Sequence, residues 1–391
     1  MTQQPNDSTI DFALKLGRAL QVSGAPSHRL EEAMSGILES IGLEGEFFST
    51  PTAIFASLGS GKEKRIELIR IASTDYDLTK LSRLNDLTVR VASGRMSPAE
   101  GSREIDEIEA APPAYGAILT TICFALTSGA ASRFFGAGLI EIGLAIAAGL
   151  IVGLTALLAS RMALVGRLFD PLAGFLVSFF AVGAATMLDG TSVTIVTVAG
   201  LIVLVPGFTL TVAVNELAQR NLISGASRLS GAVIVFLMIG FGVAAGGFTA
   251  QSFSGPIAPS SPDPLPAWTV WIAVLFAAVT LSVLFRAPAR DFTWVILCCG
   301  VTYLGVSEGS RAFGPEFGVF IGAIGAGVFS NLHARILRRP AAVTRVPAMM
   351  LLVPGGLGFI GISSLLDQNI VEGIDTAFRV ALVAVALVTG F

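Results

Sequence analysis

LIVLVPGFTL, residues Leu201 to Leu210, is an apolar run interrupted at its centre by Pro206 and Gly207. Proline costs about 3 kcal/mol inside a helix and glycine about 1. A single break could be a kink in a passive helix. However, MMLLVPGGLG, residues Met349 to Gly358, repeats it 148 positions later. At that shift Leu204, Val205, Pro206, Gly207, Leu217, Asn221 and Gly225 fall on Leu352, Val353, Pro354, Gly355, Leu365, Asn369 and Gly373. Seven ungapped identities at one offset indicate an internal duplication rather than a coincidence of common residues.

The surrounding chain is built for lipid. Of 391 residues, 53% are hydrophobic and only 14% charged, against about 25% charged in soluble domains. Charge is unevenly divided. Residues 1–113 carry 12 Lys+Arg and 17 Asp+Glu, whereas residues 114–391 carry 13 and 11, and every basic residue there is arginine. Neither part is basic enough for nucleic-acid binding. The N-terminus has no basic segment followed by an apolar core, so no signal peptide is expected. Cys123, Cys298 and Cys299 lie in apolar runs without a disulfide or metal spacing. No cofactor is expected.

A spanning helix needs about 20 apolar residues. Ten segments qualify: Tyr115–Ala131, Ala137–Ala159, Pro171–Leu188, Ser192–Val214, Leu229–Phe248, Trp268–Phe285, Phe292–Val306 (the shortest), Pro315–Leu332, Val346–Leu366 and Ile374–Phe391. With residues 1–113 inside, the inner loops hold ten arginines and the outer loops only Arg133 and Arg311. That asymmetry places both termini in the cytoplasm. A duplication of five spans, an odd number, requires the second copy to enter the membrane upside down.

The expected fold is therefore an α-helical polytopic membrane protein. Ten transmembrane helices form two inverted five-helix repeats, residues 114–248 and 268–391, joined by an outer loop at 249–267. Residues 1–113 form a small α+β cytosolic domain. Its predicted helices cover 8–22, 27–41, 78–92 and 98–109, with Ser27 and Ser97 as caps, and its strands lie near 46–49, 53–58 and 66–71. ASLGSGKE resembles a phosphate loop but has Ala56 and Glu63 where the motif needs Gly and Ser/Thr, so it reads as a turn between strands. His28, Glu31 and Glu32 read as a solvated helix face.

Breaks at membrane depth free backbone groups, which must line a cavity or find partners. A half-helix starting after Gly207 or Gly355 points N–H groups and a positive dipole end toward a carboxylate. Carbonyls before the proline can accept from an ammonium. The candidate substrate-binding residues are Pro206, Gly207, Thr209, Asn215, Glu216 and Asn221, with Pro354, Gly355, Gly356 and Asn369 from the second copy. Glu216, Glu141 and Asp189 are the candidate proton carriers; Glu308 and Glu316 also sit by outer turns. Glu216 can instead pair with Arg220 at i+4 on a wet boundary. Arg228 reads as an interfacial anchor or a gating charge. Asp375 and Arg379 share a face of the last span, as a charge pair or a carboxylate-binding gate.

Pro206-Gly207, then Glu216-Leu217, then Gly225-x-x-Arg228 resemble the threonine/serine exporter family. SGAPSHRLEE (Ser23–Glu32), STPTAIFASL (Ser49–Leu58) and LLVPGG fit the same pattern over nearly the whole chain. The family often has Asp where this chain has Glu216. The resemblance implies export of threonine and serine across the cytoplasmic membrane, driven by protons, with no enzymatic activity. Related two-chain versions resemble dicarboxylate exporters, so succinate-like substrates are the alternative. The implied partners are the small-molecule substrate, protons and the lipid bilayer, and a homo-oligomer is compatible with this reading.

Overall fold

The computed structural model describes residues 7–59, 64–72, 75–188, 190–255, 260, 262–352 and 370–390. The chain opens with α1 (Asp7–Val22), α2 (Ser27–Ser40), strands β1 (Gly45–Thr50), β2 (Ala53–Leu58) and β3 (Arg65–Arg70), then α3 (Leu78–Ala92) and α4 (Pro98–Ala110). The strands form an antiparallel sheet in the order β1-β2-β3. Residues 60–63 of the phosphate-loop look-alike lie outside the described residues, between two antiparallel strands. Phe12, Leu16, Leu30, Met34, Ile54, Leu84 and Ile105 belong to one apolar core that joins the helices to the sheet.

Capping explains the ends of these helices. Ser97 and Glu100 exchange hydrogen bonds in a capping box at the start of α4. Asp77 accepts from the Lys80 N–H at 2.9 Å to start α3. Ser27 does not cap α2: Pro26 holds that position, and Ser27 is the first helical residue. Its polar groups are used elsewhere, as described below.

The remaining helices are α5 (Ala117–Phe134), α6 (Leu139–Ala159), the short α7 (Ala163–Arg167), α8 (Phe169–Met187), α9 (Val193–Leu201), α10 (Gly207–Ala218), α11 (Leu222–Ser254), α12 (Thr269–Leu284), α13 (Phe292–Phe313), α14 (Pro315–Leu337), α15 (Ala342–Leu352) and α16 (Ile370–Gly390). Among the described residues, seven helices are long and apolar enough to cross a membrane, and α12 and α15 are shorter apolar helices. The chain is a multi-pass membrane protein. Small residues let the helices meet. A Cβ at Gly242 or Gly246 of α11 would overlap the backbone of Pro171 or Phe175 in α8. Gly305 and Gly309 of α13 meet Gly322 and Gly318 of α14 in the same way, a Cβ on either lying 2.9 Å from the facing Cα.

Several boundaries differ from those expected. The fourth span, read as Ser192–Val214, is two half-helices, α9 and α10. The fifth begins at Leu222 rather than Leu229 and runs 33 residues, about 50 Å, so residues 249–254 of the expected outer loop are helical. The polar stretch GGFTAQSFS hid that continuation. The seventh span reaches Phe313, with Glu308 and Arg311 pairing at 2.8 Å on an exposed part of the same helix. The second break, with Pro354, Gly355, Gly356 and Asn369, lies outside the described residues, as does Asp189.

Candidate functional site

The first break is as the sequence predicts. α9 stops at Leu201, and Pro206 (φ −78°, ψ 39°) sits in a tight turn in which the Gly207 N–H donates to the Val205 carbonyl at 2.8 Å. α10 starts at Gly207. It ends in a reversal through Arg220, which has φ 66°, into α11. Gly225 permits the close crossing of these two helices: a Cβ there would lie 2.7 Å from the Leu217 side chain and 2.8 Å from the Ala213 carbonyl.

That crossing brings Arg228 onto Glu216. Both are buried, the carboxylate fully, and Arg228 Nε donates to Glu216 Oε2 at 3.0 Å. Glu216 is thus neither solvated nor paired with Arg220, which is exposed, and Arg228 is not an anchor reaching for water. The other carboxylate oxygen turns to the N-terminal module. The Ser27 backbone N–H donates to Glu216 Oε1 at 3.0 Å. The Ser27 hydroxyl donates to Ser224 Oγ at 3.0 Å, and Ser224 donates to the Ser49 carbonyl at 2.7 Å. The Ser49 N–H in turn donates to Glu31 Oε1 at 2.7 Å. Burial raises the Glu31 carboxyl above the usual range, opposed by the Ser49 N–H and reinforced by the charge of Glu216. Glu31 is therefore not part of a solvated face. The SGAPSH and ELxxxNxxSGxxR segments, 189 residues apart, close on each other here.

Two cavities flank the break. The first, about 580 Å³, lies between the module and the membrane helices. His28, Arg29, Tyr76 and Asn85 line it from the module; Phe208, Asn215, Asn331 and Met349 line it from the other side. His28 is half-buried, with no hydrogen-bond partner for Nδ1 among the described residues, and burial lowers its pKa to about 4, with Arg29 adding to the shift. The second cavity, about 320 Å³, is bordered by Ile202 and Val203 at the break and by Met350, Leu351 and Leu352, the last described residues before the second Val-Pro-Gly. Under the 148-residue shift, Ile202, Val203 and Leu204 correspond to Met350, Leu351 and Leu352. Thr127, Glu316 and Arg379 supply its polar groups.

Of the other expected site residues, Asn215 lines the first cavity and accepts from Gln219 at 3.0 Å. Pro206, Gly207, Thr209 and Asn221 line neither cavity. Glu141 is a cap: its oxygens accept from the Gly138 N–H at 3.0 Å and the Ser192 N–H at 3.3 Å, tying α6 to the start of α9. Asp375 and Arg379 pair at 3.0 Å along an exposed face of α16. Thr127 was missed, because a lone threonine in an apolar span carries no sequence signal. It donates to Thr280 at 2.8 Å where α5 and α12 meet. Also unforeseen is a buried cluster in which Asp291 pairs with Arg339 and lies 3.8 Å from His333.

A broken helix beside a cavity, in a bundle of apolar spans, is an arrangement that recurs in secondary transporters. Residues 11–249 match the family described as "Putative threonine/serine exporter", and residues 270–391 match "Threonine/Serine exporter, ThrE". The chain belongs to the threonine/serine exporter family. It is similar to pheromone-regulated membrane protein 10 of Candida albicans, 26% identical over 94% of this chain and 34% of that protein. The same-named protein of Kluyveromyces lactis is 28% identical over 88% and 37%. An uncharacterised protein of Schizosaccharomyces pombe is 29% identical over 90% and 48%. The chain thus spans about a third to a half of the length of these relatives. No solved structure matches it.

Proposed function

We propose that the protein exports threonine and serine across the cytoplasmic membrane in exchange for protons, with both termini cytoplasmic. The observation that carries this reading is the 320 Å³ cavity shared by the first break and the approach to the second. Its volume falls within the range of about 300–1,000 Å³ usual for small-molecule sites. Arg379 offers a guanidinium fork for the substrate carboxylate. Glu316 offers a partner for the ammonium, and Thr127 a hydroxyl for the substrate hydroxyl. One acid and one base at the cavity match a zwitterion better than the dianion of a dicarboxylate.

The proposed topology has ten crossings in two inverted repeats. The 148-residue shift carries α5 onto α12, α6 onto α13, α8 onto α14, α9 onto α15 and α11 onto α16. The half-helices α9 and α10 count as one crossing. Residues 1–113 form the cytosolic domain, and the repeats occupy 114–248 and 268–391, with the first extended by the end of α11. Glu216 carries the coupling proton: neutralising it removes the partner of Arg228 and weakens the hold on Ser27.

Efflux from vesicles loaded with threonine, serine or succinate, with and without a pH gradient, tests the proposal. Threonine and serine are expected to leave faster with the gradient and to stop with an uncoupler. Gradient-driven efflux of succinate alone would transfer the function to dicarboxylates.

A further inference from the structure

Tyr76 comes from the module, lines the larger cavity and packs against aromatic rings from both sets of membrane helices. Its ring meets Phe208 edge-on at 4.8 Å and Phe285 at 6.2 Å, and Phe208 and Phe285 are 5.8 Å apart. Phe208 is the second residue of α10, directly after the break, and Phe285 caps the end of α12. The three rings therefore join the module, the first set of membrane helices and the second. Tyr76 and Phe208 line the larger cavity, whereas Phe285 packs with Leu281 and Met350, which border the smaller one. Along α15 the change of side takes one residue: Met349 faces the larger cavity and Met350 the smaller.

The placement of the ring is fixed from three directions. Asp75 and Asp77 flank Tyr76 and both reach Arg286, at 2.6 Å and 3.5 Å. The Leu78 N–H donates to the Phe285 carbonyl at 3.1 Å, and the Thr79 N–H to the Arg286 carbonyl at 3.0 Å. On the far side the ring lies on Gly24, whose φ of 96° and missing side chain are both needed, since a Cβ there would overlap the ring.

We infer that Tyr76 is the wedge of an aromatic gate that closes the passage between the module-side cavity and the cavity at the breaks. Any rocking of one helix set against the other changes the Phe208–Phe285 gap, and Tyr76 fills that gap. The inference rests on the transporter reading for its purpose, but the barrier itself is tested without transport. Val203→Cys places a thiol in the inner cavity, and the native cysteines are buried. Vesicles with the module facing the bath are treated with a charged, impermeant thiol reagent.

Adding Tyr76→Ala is expected to speed labelling about tenfold, equal to about 1.4 kcal/mol of lost closure. Tyr76→Phe, which keeps the ring, should label at the parent rate. Should Tyr76→Ala fail to accumulate, Asp75→Asn with Asp77→Asn frees the ring from Arg286 while keeping a capping side chain, and faster labelling is expected there too. Equal rates in the parent and the ring-less or unclamped variant would overturn the gate, as would Tyr76→Phe labelling as fast as Tyr76→Ala. Threonine efflux from vesicles holding the unsubstituted, unlabelled protein separates the two claims: faster labelling of the Tyr76→Ala probe with no amino-acid movement by the unsubstituted protein keeps the gate and removes the exporter reading.

Discussion

Replacing Glu216 by glutamine is the sharpest perturbation of the buried network. The substitution keeps the shape and an oxygen facing the Ser27 N–H, but removes the charge that neutralises Arg228. Arg228 is buried, with 8% of its side chain exposed, and Glu216 has none exposed. Removing one partner of such a pair costs about 3–5 kcal/mol. Folded domains hold only about 5–15 kcal/mol in reserve, so docking of the module onto α10 and α11 should fail first. Hydrogen exchange at the start of α2 reads this directly, because the Ser27 amide donates to Glu216. Exchange there should accelerate about 100-fold or more, as 3 kcal/mol implies. Glu216→Leu with Arg228→Met removes both charges and leaves one orphaned N–H, costing about 1–3 kcal/mol, so the double variant should melt at a higher temperature than Glu216→Gln, although its Ser27 amide, left without an acceptor, exchanges freely. Unchanged Ser27 exchange in Glu216→Gln, or a double variant that melts below the single, would refute the reasoning.

Arg379→Gln should raise the threonine KM about tenfold or more while leaving the melting temperature unchanged, since its exposed i,i+4 pair with Asp375 contributes only about 0.5 kcal/mol; transport kinetics and a thermal melt together check this. His28 has a folded pKa lowered to about 4 from 6.5, so its neutral form favours the native state and stability is lost as pH falls from about 6.5 to about 4. Because the ring is only half-buried, the loss should be about 1–2 kcal/mol, less than the full shift implies; melts of the parent and His28→Gln should run parallel above about pH 6.5 and separate as pH falls through that window, the parent alone losing stability. Gly246→Leu should destabilise by at least about 1–3 kcal/mol through collision with Phe175, whereas Gly143→Ala, with nothing within 4 Å, should be neutral or mildly stabilising in the same melt.

Local chemistry was legible in the sequence wherever neighbours along the chain decide the structure. The Pro206-Gly207 break, the Ser97 cap and the three strands follow from residues a few positions apart. The carboxylate at position 216 was legible as unusual, but its partners were not. Ser27 looked like an ordinary cap, and nothing local reveals that its N–H and hydroxyl are spent on residues 189 and 197 positions away. The start of α3 at Leu78 was legible, but its cap was not named: Asp77 caps it while also holding Arg286. Arg228 sits at a span boundary, where reaching for water is the usual outcome. Only the close crossing at Gly225 turns it inward. Hydropathy also misjudges helices whose ends are polar but still helical, as in α11 and α13. The polar groups of the inner cavity come from α5, α14 and α16, so no single stretch could have announced them.

An experimental structure of the full chain with bound threonine, in lipid, tests the central claim most directly. The account predicts substrate density in the cavity between Ile202–Val203 and Met350–Leu351, its carboxylate toward Arg379. Threonine bound elsewhere, or a first break found facing hydrocarbon with no cavity behind it, would contradict the account.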